Sequence, residues 1–151
     1  MTLALLLTFS IGNTQEDDHA AILAVMQKAF DAVQSSDPED WRAIQLAEGT
    51  SLSFRPHPDG EAGKLQMRMT RNETFVEGLN PDGREFFERW TSEPTVMIRG
   101  PIAVVWGEYD FWVDGEIVHC GVDAVDLVKI DGFLKIANFM WTVERDNCAS
   151  Q

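Results

Sequence analysis

The chain alternates two kinds of pattern. Near its start, Ile22, Val25, Met26, Ala29, Phe30 and Val33 recur at three- and four-residue spacing, which predicts a helix over residues 20–35 with one apolar stripe. Asp37 and Pro38 suit a cap and a first turn, so a short second helix follows, with Trp41 and Ile44 on its inner face. Residues 50–55 and 64–69 alternate apolar and polar positions and read as strands. Thr70-Arg71-Asn72-Glu73 matches a capping box and opens a third helix carrying Phe75, Val76 and Leu79. From residue 95 onward the helical period vanishes. Residues 95–99, 102–113, 116–130 and 133–143 read as four strands separated by Gly100-Pro101, Asp114-Gly115 and Asp131-Gly132. Asp-Gly between apolar runs is a strong hairpin signal. The expected fold is therefore α+β: three helices on the concave face of a curved antiparallel sheet.

Length and charge narrow the function. A chain of 151 residues suits one domain and buries enough surface to fold without a metal or disulfide scaffold. Asp and Glu number 25 against 12 Lys and Arg, a net charge of −13 that repels nucleic acid and anionic membrane. Residues 1–19 read as a leader or signal remnant: the apolar run 3–9 fits the short end of an export signal but has no basic residue before it. The domain proper is placed at 20–148 with a tail at 149–151, and a cytoplasmic location is favoured over export. Cys120 and Cys148 show no zinc spacing. They suit a disulfide only if the protein is exported and the C-terminal tail folds back. His19 and His57 have no partner at metal-ligand spacing, and no phosphate loop or nucleophile elbow occurs, so neither metal nor cofactor is expected.

The stretch Arg99–Gly115 (RGPIAVVWGEYDFWVDG), the run His119–Asp123 (HCGVD) and the ending Thr142-Val143-Glu144 resemble a bacterial branch of the nuclear transport factor 2-like (NTF2-like) superfamily. The superfamily includes ketosteroid isomerases, scytalone dehydratase and polyketide cyclases. The resemblance covers roughly residues 20–148. It implies a cone-shaped ligand-binding fold and no particular activity. It supplies no catalytic motif that matches here.

Taking both Asp-Gly pairs as two-residue turns, Asp110 faces His119, Trp106 faces Asp123, and Asp123 faces Met140. One face then carries Trp106, Asp110, Trp112, His119, Asp123, Asn138 and Met140 beside an apolar end. That mixture suits a pocket, so the face is assigned to the concave side. Asp123 is the candidate general base, and His119, opposite Asp110, its acid–base companion. Trp106, Asp110, Trp112, Asn138 and Met140 are candidate ligand contacts. Tyr109 joins them only if the register slips by one. Each has a plainer role available: a hydrogen-bonded rim aspartate, a sheet-stabilising His–Asp pair, aromatic core. The opposite face, bearing Tyr109, Phe111, Cys120, Phe139 and Trp141, is expected to pair two subunits, as the resemblance implies. The expected function is small-molecule binding in a hydrophobic pocket. A cofactor-independent lyase, isomerase or cyclase is the alternative, and a protein-docking domain a third reading.

Overall fold

A computed structural model describes residues 14–78, 82–146 and 148. Of the 1–19 leader, residues 1–13 lie outside the described residues, as do Leu79 and the 149–151 tail, whereas residues 14–19 belong to the first helix. The order is α1 (Thr14–Ser35), α2 (Pro38–Ile44), β1 (Gln45–Pro56), β2 (Leu65–Arg71), α3 (Asn72–Glu77), β3 (Phe86–Trp90), β4 (Thr95–Arg99), β5 (Ile102–Val113), β6 (Glu116–Ile130) and β7 (Phe133–Thr142). The seven strands form one curled, unclosed sheet in the order β2-β1-β7-β6-β5-β3, with β4 pairing the first half of β5.

The α1 stripe behaves as its spacing predicts: Ile22, Met26, Ala29 and Phe30 are buried against the sheet. Asp37 caps α2 by accepting a hydrogen bond from Glu39 N–H at 2.9 Å. Both Asp-Gly turns are tight. Asp114 and Gly115 have φ of 53° and 83°, and Asp131 and Gly132 have 51° and 84°. Two consecutive positive φ values match the right-handed twist of a hairpin, and Gly takes one of them without steric penalty.

Four expectations need correction. The sheet is mixed, because β1 runs parallel to β7. Thr70 belongs to β2 and α3 starts after Arg71, which makes no side-chain cap, so the capping box does not form. Asn72 acts as a latch instead. It is fully buried, accepts from Ser51 Oγ at 2.9 Å and donates to the carbonyls of Leu46 and Ala137 at 2.9 and 3.3 Å, tying α3 to β1 and β7. β3 was not anticipated.

The fourth correction moves the site. Register shifts by one on each side of β6. Trp112 pairs with Ile117 but Phe111 pairs with His119, which leaves Val118 as the extra residue. Leu127 pairs with Ile136 but Asp126 pairs with Asn138, which leaves Ala137 extra. Each is a β-bulge, and a one-residue shift exchanges the faces of everything beyond it. Asp123 therefore faces Gly107 and Trp141, not Trp106 and Met140, and His119 faces Phe111, not Asp110. The covered face carries Val105, Tyr109, Phe111, His119, Asp123, Val125, Leu127, Ile136, Phe139 and Trp141. Tyr109 and Phe139 are buried there, so the expected subunit-pairing face lies inside the protein beneath its own helices, except Cys120, which pairs with Asp110 on the other side of the sheet.

Candidate functional site

The covered face encloses a cavity of about 520 Å³. That volume suits a small organic ligand. Much of its wall is aromatic. Trp41 meets Phe75 and Phe139 edge-on, and Phe75 meets Trp141 at 5.8 Å between ring centroids. Such edge-to-face contacts hold rings in place and keep the wall firm.

The polar groups come from separate strands. β3 is a short edge strand whose residues alternate, placing Phe86, Glu88 and Trp90 toward the interior and Phe87 and Arg89 outward. Glu88 lines the cavity. Behind it on β6 lies Asp123, 0% exposed. Gly107, opposite Asp123, leaves space that Trp90 fills: a Cβ there would stand 2.7 Å from the Trp90 ring. Both oxygens of Asp123 are buried and receive no hydrogen bond from an amide, hydroxyl or amine. The group that reaches them is the Glu88 carboxyl. Two carboxyls meet this way only by sharing a proton. Burial is the main cause that pushes Glu88 up to about 7, with Asp110 adding repulsion and its hydrogen bond to Asp123 opposing. Asp123 is held well above the usual carboxylate range by burial first, and then by the charge of Glu88 and its hydrogen bond.

Tyr109 stands between this pair and a second polar group. Its hydroxyl donates to the Thr142 carbonyl at 2.7 Å and lies 3.2 Å from His119 Nδ1. With the phenol proton committed to Thr142, a proton on Nδ1 lets His119 donate to the phenol oxygen, leaving Nε2 as an acceptor. Burial, followed by the Arg55 and Arg145 charges, lowers His119 to about 4, so the ring is neutral at pH 7. Phe111 stacks on it with ring centroids 4.7 Å apart. Burial, and then the charges of Asp123 and Glu88, raise the Tyr109 phenol far above its ordinary value.

The sequence-derived candidates divide cleanly. Asp123 and His119 point inward, and Tyr109 joins them because the register has slipped. Trp106, Asp110, Trp112, Asn138 and Met140 do not line the cavity. Trp106 is 54% exposed on the outer face and Met140 39%. Asn138 donates to Asp126 at 3.1 Å and accepts from Thr50 at 2.8 Å. Asp110 is tied into the sheet: Arg89 donates to both its oxygens, at 3.0 and 2.9 Å, and Trp112 Nε1 donates to it at 2.7 Å. Arg89 also covers the Trp112 ring. Glu88 was missed because Arg84–Trp90 (REFFERW) carries two adjacent charge pairs, Arg84-Glu85 and Glu88-Arg89, which look like a solvated segment. The alternation of Phe86, Glu88 and Trp90 was the available signal. Arg55 was also missed, although the 50–55 strand was recognised.

The C-terminal tail closes this end of the cavity. Cys120 and Cys148 form a disulfide with Cα atoms 5.4 Å apart, and Cys120 exchanges backbone hydrogen bonds with Glu144 rather than pairing Val143. Val143 and Arg145 line the cavity. Among the described residues, no three His, Cys, Asp or Glu side chains gather as a metal site, and no helix is long and apolar enough to cross a membrane.

No family model and no curated protein matches this sequence. Solved structures match over most of its length, 83% to 93% of the chain. An NTF2-like superfamily protein from Salmonella enterica is 12% identical, with 93% of this chain and 99% of that one covered and a TM-score of 0.66. An NTF2-like protein of unknown function from Silicibacter pomeroyi is 14% identical over 86% and 98%, with a TM-score of 0.61. The β subunit of a putative aromatic-ring-hydroxylating dioxygenase from Novosphingobium aromaticivorans is 11% identical over 91% and 95%, with a TM-score of 0.70. Identities this low speak for architecture and not for activity. With its curled seven-strand sheet folded around a cavity and three helices packed beside it, this chain has the NTF2-like fold.

Proposed function

We propose that the cavity binds a small, largely apolar molecule and that the Glu88–Asp123 pair moves a proton on it. The reaction class is a cofactor-independent isomerisation or elimination. One observation carries this reading: a carboxyl held near 7 on the wall of a partly aromatic cavity, in contact with a buried second carboxyl. A general acid–base works best with its pKa near the working pH, and burial tunes carboxyls to that range. Glu88 is the group in contact with the ligand. Asp123 lies behind it and acts as a positioning residue that raises its proton affinity. Tyr109 and His119 orient polar atoms of the ligand.

The test uses a panel of cyclic ketones and enones in deuterated buffer, with hydrogen exchange beside the carbonyl followed by mass spectrometry. Exchange by the parent, at least 100-fold slower in Glu88→Gln with ligand affinity retained, is the expected result. Tight binding with no exchange in either protein leaves a binding module and removes the catalytic reading.

For partners, we infer a homodimer through the outer sheet face, in place of the inner face. A cross-strand row runs Trp106, Ala124, Met140, Leu52 and Met69 over five strands. Trp106, Met140 and Met69 are exposed there. A contiguous apolar row of this kind is an interaction surface, and a second copy offers the same row in return.

A further inference from the structure

The cavity has a cationic wall that the proton-transfer reading does not use. Three arginines line it (Arg55, Arg84 and Arg145) in a protein whose net charge is −13. Arg84 is engaged by Asp114 at 2.9 Å. Arg55 sits on β1, partly buried. One nitrogen donates to Ser53 Oγ at 2.9 Å, and its Nε is buried without a hydrogen-bond partner. Among the described residues, neither Arg55 nor Arg145 forms an ion pair with a carboxylate. Arg55 instead feels the like charges of Arg68 and Arg145. Gathering guanidinium groups and burying a donor is unfavourable unless an anion completes the set.

Placement makes the cavity two-ended. Arg55 is on the second strand of the sheet and Glu88 on the last, so they stand on opposite walls of the curl. Glu88 is hydrogen-bonded to Asp123 and feels the charge of Asp110, whereas the charges acting on His119 are Arg55 and Arg145. Tyr109, between the ends, feels Asp123, Glu88 and Glu144 and, more weakly, Arg55. Between the ends lie Trp41, Phe75, Phe139 and Trp141.

We infer that the ligand is a small aromatic or alicyclic carboxylic acid, its carboxylate held by Arg55 and Arg145 and its ring carried across the aromatic wall toward Glu88. The guanidinium fork matches a carboxylate with paired N–H donors. Because the tail holding Arg145 is tied to β6 by the Cys120–Cys148 bond, the anion site is partly built by the disulfide. This inference rests on the cavity being a ligand site and does not require the proton transfer.

Isothermal titration calorimetry at pH 7 tests it with 1-naphthylacetate and its neutral isostere 1-naphthylacetamide. The acid is expected to bind at least ~10-fold more tightly, the strength of a charge-assisted contact. In the Arg55→Gln/Arg145→Gln protein the acid should fall to the amide's affinity while the amide is unchanged. Arg145→Gln alone, at an exposed position, should lose part of the preference and guards against a folding defect at Arg55. Equal or tighter binding of the amide by the parent overturns the anionic ligand while leaving the cavity as a binding site. Failure of both probes to bind overturns the inference together with the binding reading. Loss of exchange chemistry in the ketone assay bears on Glu88 and touches neither result.

Discussion

Replacing Glu88 by Gln should stabilise the protein above neutral pH, and the reason lies in where the proton sits. An unfolded chain releases the Glu proton near its ordinary value of 4.5, whereas the folded protein keeps it to about 7. Folding therefore holds more protons than the unfolded state between those values, and stability falls as pH rises through that window. Below 4.5 both states are protonated, and the contribution is fully present. At ~1.36 kcal/mol per pH unit, the full loss is about 3 kcal/mol. Because Glu88 is only partly buried and its proton is shared, ~1–3 kcal/mol is the expected range. Gln keeps the volume, cannot ionise, and donates an N–H to the Asp123 oxygens that lack one. Urea unfolding followed by tryptophan fluorescence, from pH 4 to 9, reads the difference directly. The titration of His119, which does not respond to Glu88, cancels between the two proteins, while that of Asp123, which does, is part of the shared-proton difference being read. The variant and parent should agree near pH 4.5 and diverge until the variant leads by ~1–3 kcal/mol at pH 8. A difference that is flat across pH 4.5–8, or that favours the parent at pH 8, refutes the shared proton and with it the acid–base role of the pair.

Three further outcomes are expected. Trp106→Glu with Met140→Lys should convert a 34 kDa species, about twice the 17.0 kDa chain, into monomer by light scattering without changing the far-ultraviolet circular dichroism. A parent that is already monomeric at 100 μM removes the dimer. Gly107→Ala should cost about 1–3 kcal/mol in urea unfolding, because a Cβ 2.7 Å from the Trp90 ring forces that ring to move; an unchanged midpoint means Trp90 is loosely held. Cys120→Ser with Cys148→Ser removes a bond closing 28 residues of separation and should lower stability by roughly 3–4 kcal/mol by loop-closure entropy, with a wild-type midpoint showing that the tail is pinned without it.

Much of the architecture was written locally. Asp114-Gly115 and Asp131-Gly132 force tight hairpins wherever apolar strands flank them, because few other backbones accept two successive positive φ values. The α1 stripe and the inward set Asp123, Val125 and Leu127 follow from period alone, since side chains within one regular stretch of strand cannot change faces. How one strand's faces match the next is a different matter. β5 is apolar on both faces, so its pattern does not say which face is covered, and the bulges at Val118 and Ala137 reset the register on each side of β6. That reset moved Tyr109 inside and sent Trp106, Asp110, Trp112, Asn138 and Met140 out of the cavity. Glu88 and Arg55 are not legible as site residues because Glu88 sits beside Arg89 and Arg55 ends an alternating run, and charges in such places normally face water. Their place on the cavity wall comes from the curl of the sheet, which brings the second strand opposite the last and gathers groups that are more than thirty positions apart. A carboxyl becomes an acid–base group, and a guanidinium an anion site, only when burial removes the water that would otherwise level their charges, and burial of that kind is set by contacts between distant segments.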